Sequence, residues 1–288
     1  MTSRPDAPAS FRSSSVRPGP LQLVRDGIAE TLSRRRLIAY LVRADLKKKG
    51  TDTLLGNVWW VIDPLLQMLV YVILVSVILD RGGPGYPLFI FCAILPWKWF
   101  QATVGDGTAA VSSQERLIKQ IQFPKLVLPV SAVVAGVVNF LFGLIPLFGL
   151  TILFYADHLS AWILLIPLVA VVQFVFSLAV AIALSSINVF YRDIGNLSRH
   201  LLRFWFYLSP ALYSPALVAD LAKKHHWIGT LFQLNPWTHF FGAYRDLIYN
   251  GKAPDFMALG VVLVGSVILL ALAILLFKRV EPAFAKVL

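Results

Sequence analysis

Long apolar runs alternate along the chain with short polar stretches rich in Lys, Arg and Pro. A helix needs about 20 apolar residues to cross a hydrocarbon core about 30 Å thick. Six runs meet or approach that length: 58–79, 86–103, 127–155, 161–189, 197–212 and 256–277. The third is long enough to tilt or to break at Pro146, and the fifth is short. The pattern predicts an all-α integral membrane protein with six transmembrane helices.

The segments around these runs add detail. Residues 1–20 are rich in Ser, Pro and Arg with no apolar stretch, and read as a disordered cytosolic tail, not a signal peptide. Residues 21–50 read as a basic amphipathic helix region. Within it Arg36, Arg43 and Lys47 share one helical face beside an apolar face of Leu37, Tyr40, Leu41 and Ala44. Such a helix lies in the membrane interface with its cations toward headgroups or a partner protein. Residues 51–288 then form the six-helix transmembrane domain. Between the last two runs, 213–255 is too long for a plain turn. There Asn235 reads as an N-cap with Pro236 at the first helical position, and Gly251 as the stop. The intervening helix, about 22 Å long, is too short to cross. Its mixture of Trp237, Phe240, Phe241 and Tyr244 with Arg245 and Asp246 fits an interfacial or re-entrant helix at the outer face. It is read either as a lid over an exit or as an aromatic anchor.

Composition agrees: 58% of residues are hydrophobic and 14% charged, against about 25% charged in soluble domains. The net charge of +11 would point to nucleic acid in a soluble protein. Its distribution matters more. With both termini inside, the inner segments hold 20 Lys/Arg and the outer segments 5, and Lys98 lies within a run. That asymmetry is the positive-inside rule with an even number of crossings, and it accounts for the charge without nucleic acid. The single cysteine, Cys92, forms no internal disulfide and reads as packing, and the five histidines show no metal-site spacing.

The loop after the second run contains Ser112 and Glu115 in an S-x-x-E capping-box spacing, with Pro124 limiting any helix near Gln122. A short helix mixing charge with exposed aliphatics suits docking into a groove on another protein; the alternative is an ordinary surface turn. Lys98, Asp63 and Asp106 lie within or near apolar runs. A charge at the bilayer centre costs roughly 2.5–3.5 kcal/mol on insertion scales, so these groups face protein, water or headgroups. Lys98 reads as a conduit or subunit-interface group. Asp63, just before Pro64, could also cap a kinked turn. No G-x-x-x-x-G-K-[ST] phosphate loop occurs, since Gly251-Lys252-Ala253 lacks the rest of it, and no H-E-x-x-H, nucleophile elbow or paired-carboxylate loop stands out. The chain is therefore not expected to be an enzyme.

Five segments occur in order: LLGNVWWVIDPLLQMLVY (54–71), YPLFIFCAILPWKWF (86–100), ERLIKQIQFPKLVLPV (115–130), NVFYRDIG (188–195) and LNPWTHFFGAYRDLI (234–248). Together they resemble the permease subunits of polysaccharide-exporting ABC transporters, a family that exports O-antigen, capsule, teichoic acid and cell-wall galactan. The likeness runs from about Ala44 to the C-terminus; the extended basic N-terminus departs from it in length.

The resemblance implies a bacterial inner-membrane protein with both termini cytosolic. It implies a homodimer forming a conduit between its two copies, and two copies of a separate ATPase below. ATP and Mg would sit on that ATPase, with no cofactor in this chain. The loop helix would be the coupling helix, with Ser112, Glu115, Arg116, Lys119 and Gln120 toward the ATPase. Arg192 and Asp193 would match a recurring cytosolic RD pair, and Pro236, Trp237, Phe240, Tyr244 and Arg245 would fall in the extracellular gate.

The implied cargo is a polyprenyl diphosphate carrying a polysaccharide. Trp59, Trp60, Trp97, Lys98, Trp99, Trp205 and Tyr207 are candidates for the conduit, since sugar C–H faces stack on aromatic rings; Trp and Tyr are also common at membrane interfaces. Arg43, Lys47, Lys48, Lys49, Arg199 and Arg203 are candidates for contact with the diphosphate or lipid headgroups. Two alternatives stay open: a type-two ABC permease for a drug or lipid, and an ATP-independent flippase or membrane glycosyltransferase using Asp193 or Asp246.

Overall fold

A computed structural model of the chain describes residues 19–51, 54–80 and 82–287. The expected tail lies outside these residues except for its last two positions, as does Arg81. The described residues are helical with no strand. Helices α1 (Pro20–Ser33) and α2 (Arg35–Gly50) precede α3 (Trp59–Val72), which continues through a π-helical stretch, Ile73–Ile78. Next come α4 (Tyr86–Ala109), the short α5 (Glu115–Gln120), α6 (Val127–Phe154) and α7 (Ile166–Asn188). They are followed by α8 (Ile194–Leu208), α9 (Pro215–Lys224), α10 (His226–Leu234), α11 (Pro236–Ile248), α12 (Phe256–Val280) and α13 (Phe284–Val287). Five helices among the described residues are long and apolar enough to cross a membrane: α3 with its π stretch, α4, α6, α7 with its lead-in turn, and α12 with its trailing turn.

Helix α4 is the axis of the bundle. It packs against α3, α6, α7, α8 and α11. Between apolar helices in lipid, close approach comes from small residues, because burial gives little drive. Gly107 illustrates this: a Cβ there would meet that of Ala181 on α7 at 2.7 Å. Pro96 lies inside α4, and its carbonyl accepts from the buried Gln173 amide of α7 at 2.8 Å. In contrast, only 6% of the most apolar window of α3 is buried; Leu66, Val70, Ile73 and Val77 face outward.

The fifth apolar run departs from expectation. Its helix, α8, begins at Ile194 and stops at Leu208. Fifteen residues give about 22 Å, short of a crossing. The chain nevertheless joins the two ends of α4. Gly195 N–H donates to Asn188 at the α5 end, at 3.0 Å, and Leu212 accepts from Tyr86 Oη in the first turn of α4, at 3.2 Å. The non-helical stretch after Leu208 has carbonyls with no helix to take them. Arg245 of α11, 3% exposed, supplies the donors: its guanidinium reaches Pro210 O at 2.6 Å, Ala211 O at 2.5 Å and Phe89 O at 3.3 Å. It also lies 3.7 Å over the Phe89 ring, a cation–π contact.

Helix α11 starts as the sequence indicates, with Asn235 Oδ1 accepting from Trp237 N–H at 3.1 Å and Pro236 at the first position. Gly251 takes φ +62 just beyond its end. The helix runs alongside the first half of α4: Trp237 meets Trp97 at 4.6 Å between ring centroids, and Tyr249 Oη donates to Pro84 O at 3.0 Å.

Two substitutions test this packing. Gly107→Val should lower stability by about 1–3 kcal/mol by forcing α4 from α7, read as an earlier thermal transition of the detergent-solubilised protein. Arg245→Met should cost about 1–3 kcal/mol for the stranded carbonyls. Arg245→Lys should not restore it, because an ammonium lacks the planar fork that reaches three acceptors.

Candidate functional site

At the α5 end of the bundle lies an open cavity of about 740 Å3. Its walls are the second half of α4, the turn before α5, and the junction of α7 with α8, including Lys98, Asp106, Ser112, Glu115, Asn188, Arg192 and Arg199. The carboxylates in this wall are matched. Asp106 accepts from Lys49 of α2 at 2.6 Å, and Glu115 pairs with Lys119 at 2.7 Å. Lys98 is paired with Asp63 of α3. Neither Arg192 nor Arg199 joins an ion pair among the described residues; Arg199 bonds only the neutral Asn196 side chain and Gly195 O. With both wall carboxylates matched by lysines, these two guanidiniums leave the cavity an excess of positive charge suited to a phosphate group.

Asn188 holds the cavity's wall together. It ends α7, is 4% exposed, and bonds three elements. Its amide donates to Thr108 O of α4 at 3.1 Å and to Ser112 Oγ at 3.0 Å, and its oxygen accepts from Gly195 N–H of α8 at 3.0 Å. One side chain thereby ties the end of α4, the turn into α5 and the start of α8. On the other side of α5, Glu281 accepts from Lys125 N–H at 2.8 Å and from Lys278 at 2.9 Å; Lys278 also reaches Glu30 of α1 at 2.7 Å.

The expected capping box does not form. Ser112 lies in a 3-10 turn continuing from α4, so its hydroxyl donates back to Ala109 O at 3.2 Å, and Gln114 occupies the N-cap position without a side-chain bond. Helix α5 is anchored instead by Ile118, buried in a cluster with Val111, Leu126 and Phe284. Arg116, Lys119 and Gln120 are exposed. The hydrogen bond and charge of Lys119 hold the Glu115 carboxyl below the usual range, so that pair survives to lower pH than a free glutamate would allow.

The other singled-out residues separate into groups. Arg43, Lys47 and Lys48 are exposed on α2, whereas Lys49 is engaged by Asp106 and by Asp45 at 2.9 Å. Burial alone would lower the Lys49 pKa, but those two carboxylates outweigh it and raise it. Arg192, Asp193, Arg199 and Arg203 are exposed, and Arg203 lies off the cavity wall. Trp97, at 2% exposed, is a core residue of this chain and lines no open surface, because Trp205, Phe206 and Trp237 surround it. Trp99, at 4%, stacks on Phe140 at 4.4 Å. Trp237, Phe240 and Tyr244 are likewise buried. Trp205 is partly buried, its indole N–H donating to Asn235 at 3.0 Å. Trp59 and Tyr207 are exposed, Tyr207 lying 3.3 Å from Tyr71 between hydroxyls, and Trp60 meets Phe142 edge-on. Asn188, Glu281 and the Lys49–Asp106 pair carry no sequence signal; each makes a bond that spans at least 57 positions.

The ABC-2 type transporter family matches residues 36–249. The chain is 33% identical over 259 residues to the O-antigen export system permease protein RfbA of Myxococcus xanthus, covering 90% of this chain and 98% of that protein. It is 27% identical to a protein of the same description from Klebsiella pneumoniae, over 88% of this chain and 95% of that one. A family match extending from α2 to the end of α11 takes in the cavity, the Asn188 clamp and the Arg245 site, and on that match the chain belongs to the ABC-2 type transporter family.

Proposed function

We propose that this chain is the membrane subunit of an ATP-driven exporter that carries a polyprenyl-diphosphate-linked polysaccharide of O-antigen type across the bacterial inner membrane. Two copies would enclose the conduit, and two copies of a separate ATPase would bind at the α5 end. ATP hydrolysis would occur on those ATPase chains. The O-antigen exporters named among its relatives support the cargo. The outward apolar face of α3 supports contact with lipid or with a second copy.

In this reading the protein crosses the membrane six times. The crossings are the five long helices and α8 with its non-helical end, which together join the two ends of α4. An even number leaves both termini in the cytosol with α5, in line with the 20 Lys/Arg of the inner segments. Irregular backbone at membrane depth is tolerated where protein satisfies it, as Arg245 does here. Helix α2 would lie at the inner interface, with Arg43, Lys47 and Lys48 toward headgroups. Arg192 and Arg199 would receive the diphosphate in the 740 Å3 cavity. Helix α11 would form part of the outer gate.

The observation that carries the mechanism is the Asn188 clamp. A displacement of α5 by an ATPase beneath it would pull on Ser112, and Asn188 would pass that pull to α7 and α8 beside the cavity.

The test is reconstitution of the permease with its ATPase in vesicles, following glycan export and phosphate release together. Wild type should export lipid-linked glycan only with ATP and the ATPase. Asn188→Leu removes three hydrogen bonds worth about 1 kcal/mol each, and should reduce glycan exported per ATP roughly tenfold or more while hydrolysis continues. Export without the ATPase would refute the reading, and an unchanged ratio in Asn188→Leu would refute the clamp.

A further inference from the structure

We propose that a slot between α3, α4 and α6 is a binding subsite for one sugar ring, set directly beside the phosphate-binding cavity. The proposal rests on the export reading above and names where the sugar next to the diphosphate is held. The slot has a volume of about 130 Å3 and is lined by Trp60, Asp63, Lys98, Trp99 and Asn139, among others. A cavity of about 150 Å3 takes benzene, and a pyranose is larger, so this space takes one edge of a single ring, with the rest of the ring in the adjoining cavity, and not a chain.

Its chemistry is unusual for the middle of an apolar bundle. Trp99 Nε1 and Asn139 Oδ1 are buried and have no hydrogen-bond partner. Stranded polar atoms are costly there, and a ligand that completed both would relieve that cost. Trp99 is fixed by its stack on Phe140, so its N–H is a donor of set direction. The Lys98–Asp63 pair adds further donors and an acceptor. A ring bearing hydroxyls, each both donor and acceptor, matches this set better than an acyl chain or an apolar drug. Gly136 lets α6 approach α4 closely beside the slot, since a Cβ there would meet Thr103 Oγ1 at 2.3 Å and Trp99 Nε1 at 3.3 Å.

Lys98 and Ala102 line both the slot and the larger cavity that holds Arg192 and Arg199. A ligand with its phosphate at the guanidiniums can therefore place the attached ring past Lys98 into the slot. The same arrangement would distinguish a glycosylated polyprenyl diphosphate from a bare one.

The test uses the reconstituted permease–ATPase complex and two probes, a polyprenyl diphosphate carrying one N-acetylhexosamine and the same compound without the sugar. Wild type should show ATPase stimulation at a lower concentration of the glycosylated probe. Trp99→Phe keeps an aromatic ring to stack on Phe140 but removes the N–H; it should shrink the ratio between the two probes roughly three- to tenfold, the effect of one hydrogen bond. Asn139→Leu, which removes the slot's other unpartnered polar atom at similar side-chain volume and from a different helix, should shrink it too, so that a defect private to the first variant is not mistaken for loss of the site. If both variants keep the wild-type ratio, the slot holds only water and the proposal falls. If wild type responds to neither probe, the export reading falls, and the subsite with it.

Discussion

In a medium that offers no hydrogen bonds, every backbone N–H and C=O must be satisfied within the protein, and the stretch after α8 shows how this bundle does it where a helix ends among packed neighbours. Helix α8 ends at Leu208, half-way along α4, and the chain continues without regular bonding. Arg245 takes over. A buried guanidinium with no carboxylate partner would be expensive, but three carbonyls and the face of Phe89 surround it with negative potential. The same contacts fix α11 against the start of α4, so one side chain both completes an interrupted backbone and seats the neighbouring helix.

At the opposite end the logic is the same but the bonds are made by amide and ion pair. Asn188, Glu281 and Lys49 each join segments distant in sequence: α4 with the α5 turn and α8, α12 with the start of α6, and α2 with α4. Helix α5 has only six residues and would not hold its shape alone. It is held because Ile118 is buried and because both flanks are tied to long helices. A rigid attachment of this kind is what the proposed transmission of an ATPase stroke requires.

Much of this was legible in the chain. The long apolar runs give the long helices because their length and lack of charge leave no other stable state in lipid. Asn235-Pro236 and Gly251 bounded α11 through local chemistry, which needs no tertiary information. Three features were not legible. The S-x-x-E spacing at Ser112 failed because the preceding helix runs on into a 3-10 turn and leaves no extended N-cap residue. The aromatic residues could not be sorted from composition: Trp97 and Trp59 look alike in sequence, yet one is core and the other exposed, a difference set by which face of each helix meets a neighbour. The Asn188 clamp joins positions 76 and 80 residues apart, and no periodicity signals it.

Transport as proposed requires the α8 segment to cross the bilayer and so to place its two ends on opposite sides. With Cys92, the single native cysteine, replaced by serine, single cysteines at Ser113 before α5 and at Asp220 in α9 can be labelled in intact cells with a membrane-impermeant maleimide. The account predicts that position 220 reacts from outside and position 113 only after the inner membrane is opened. Labelling of both positions from the same side would contradict it.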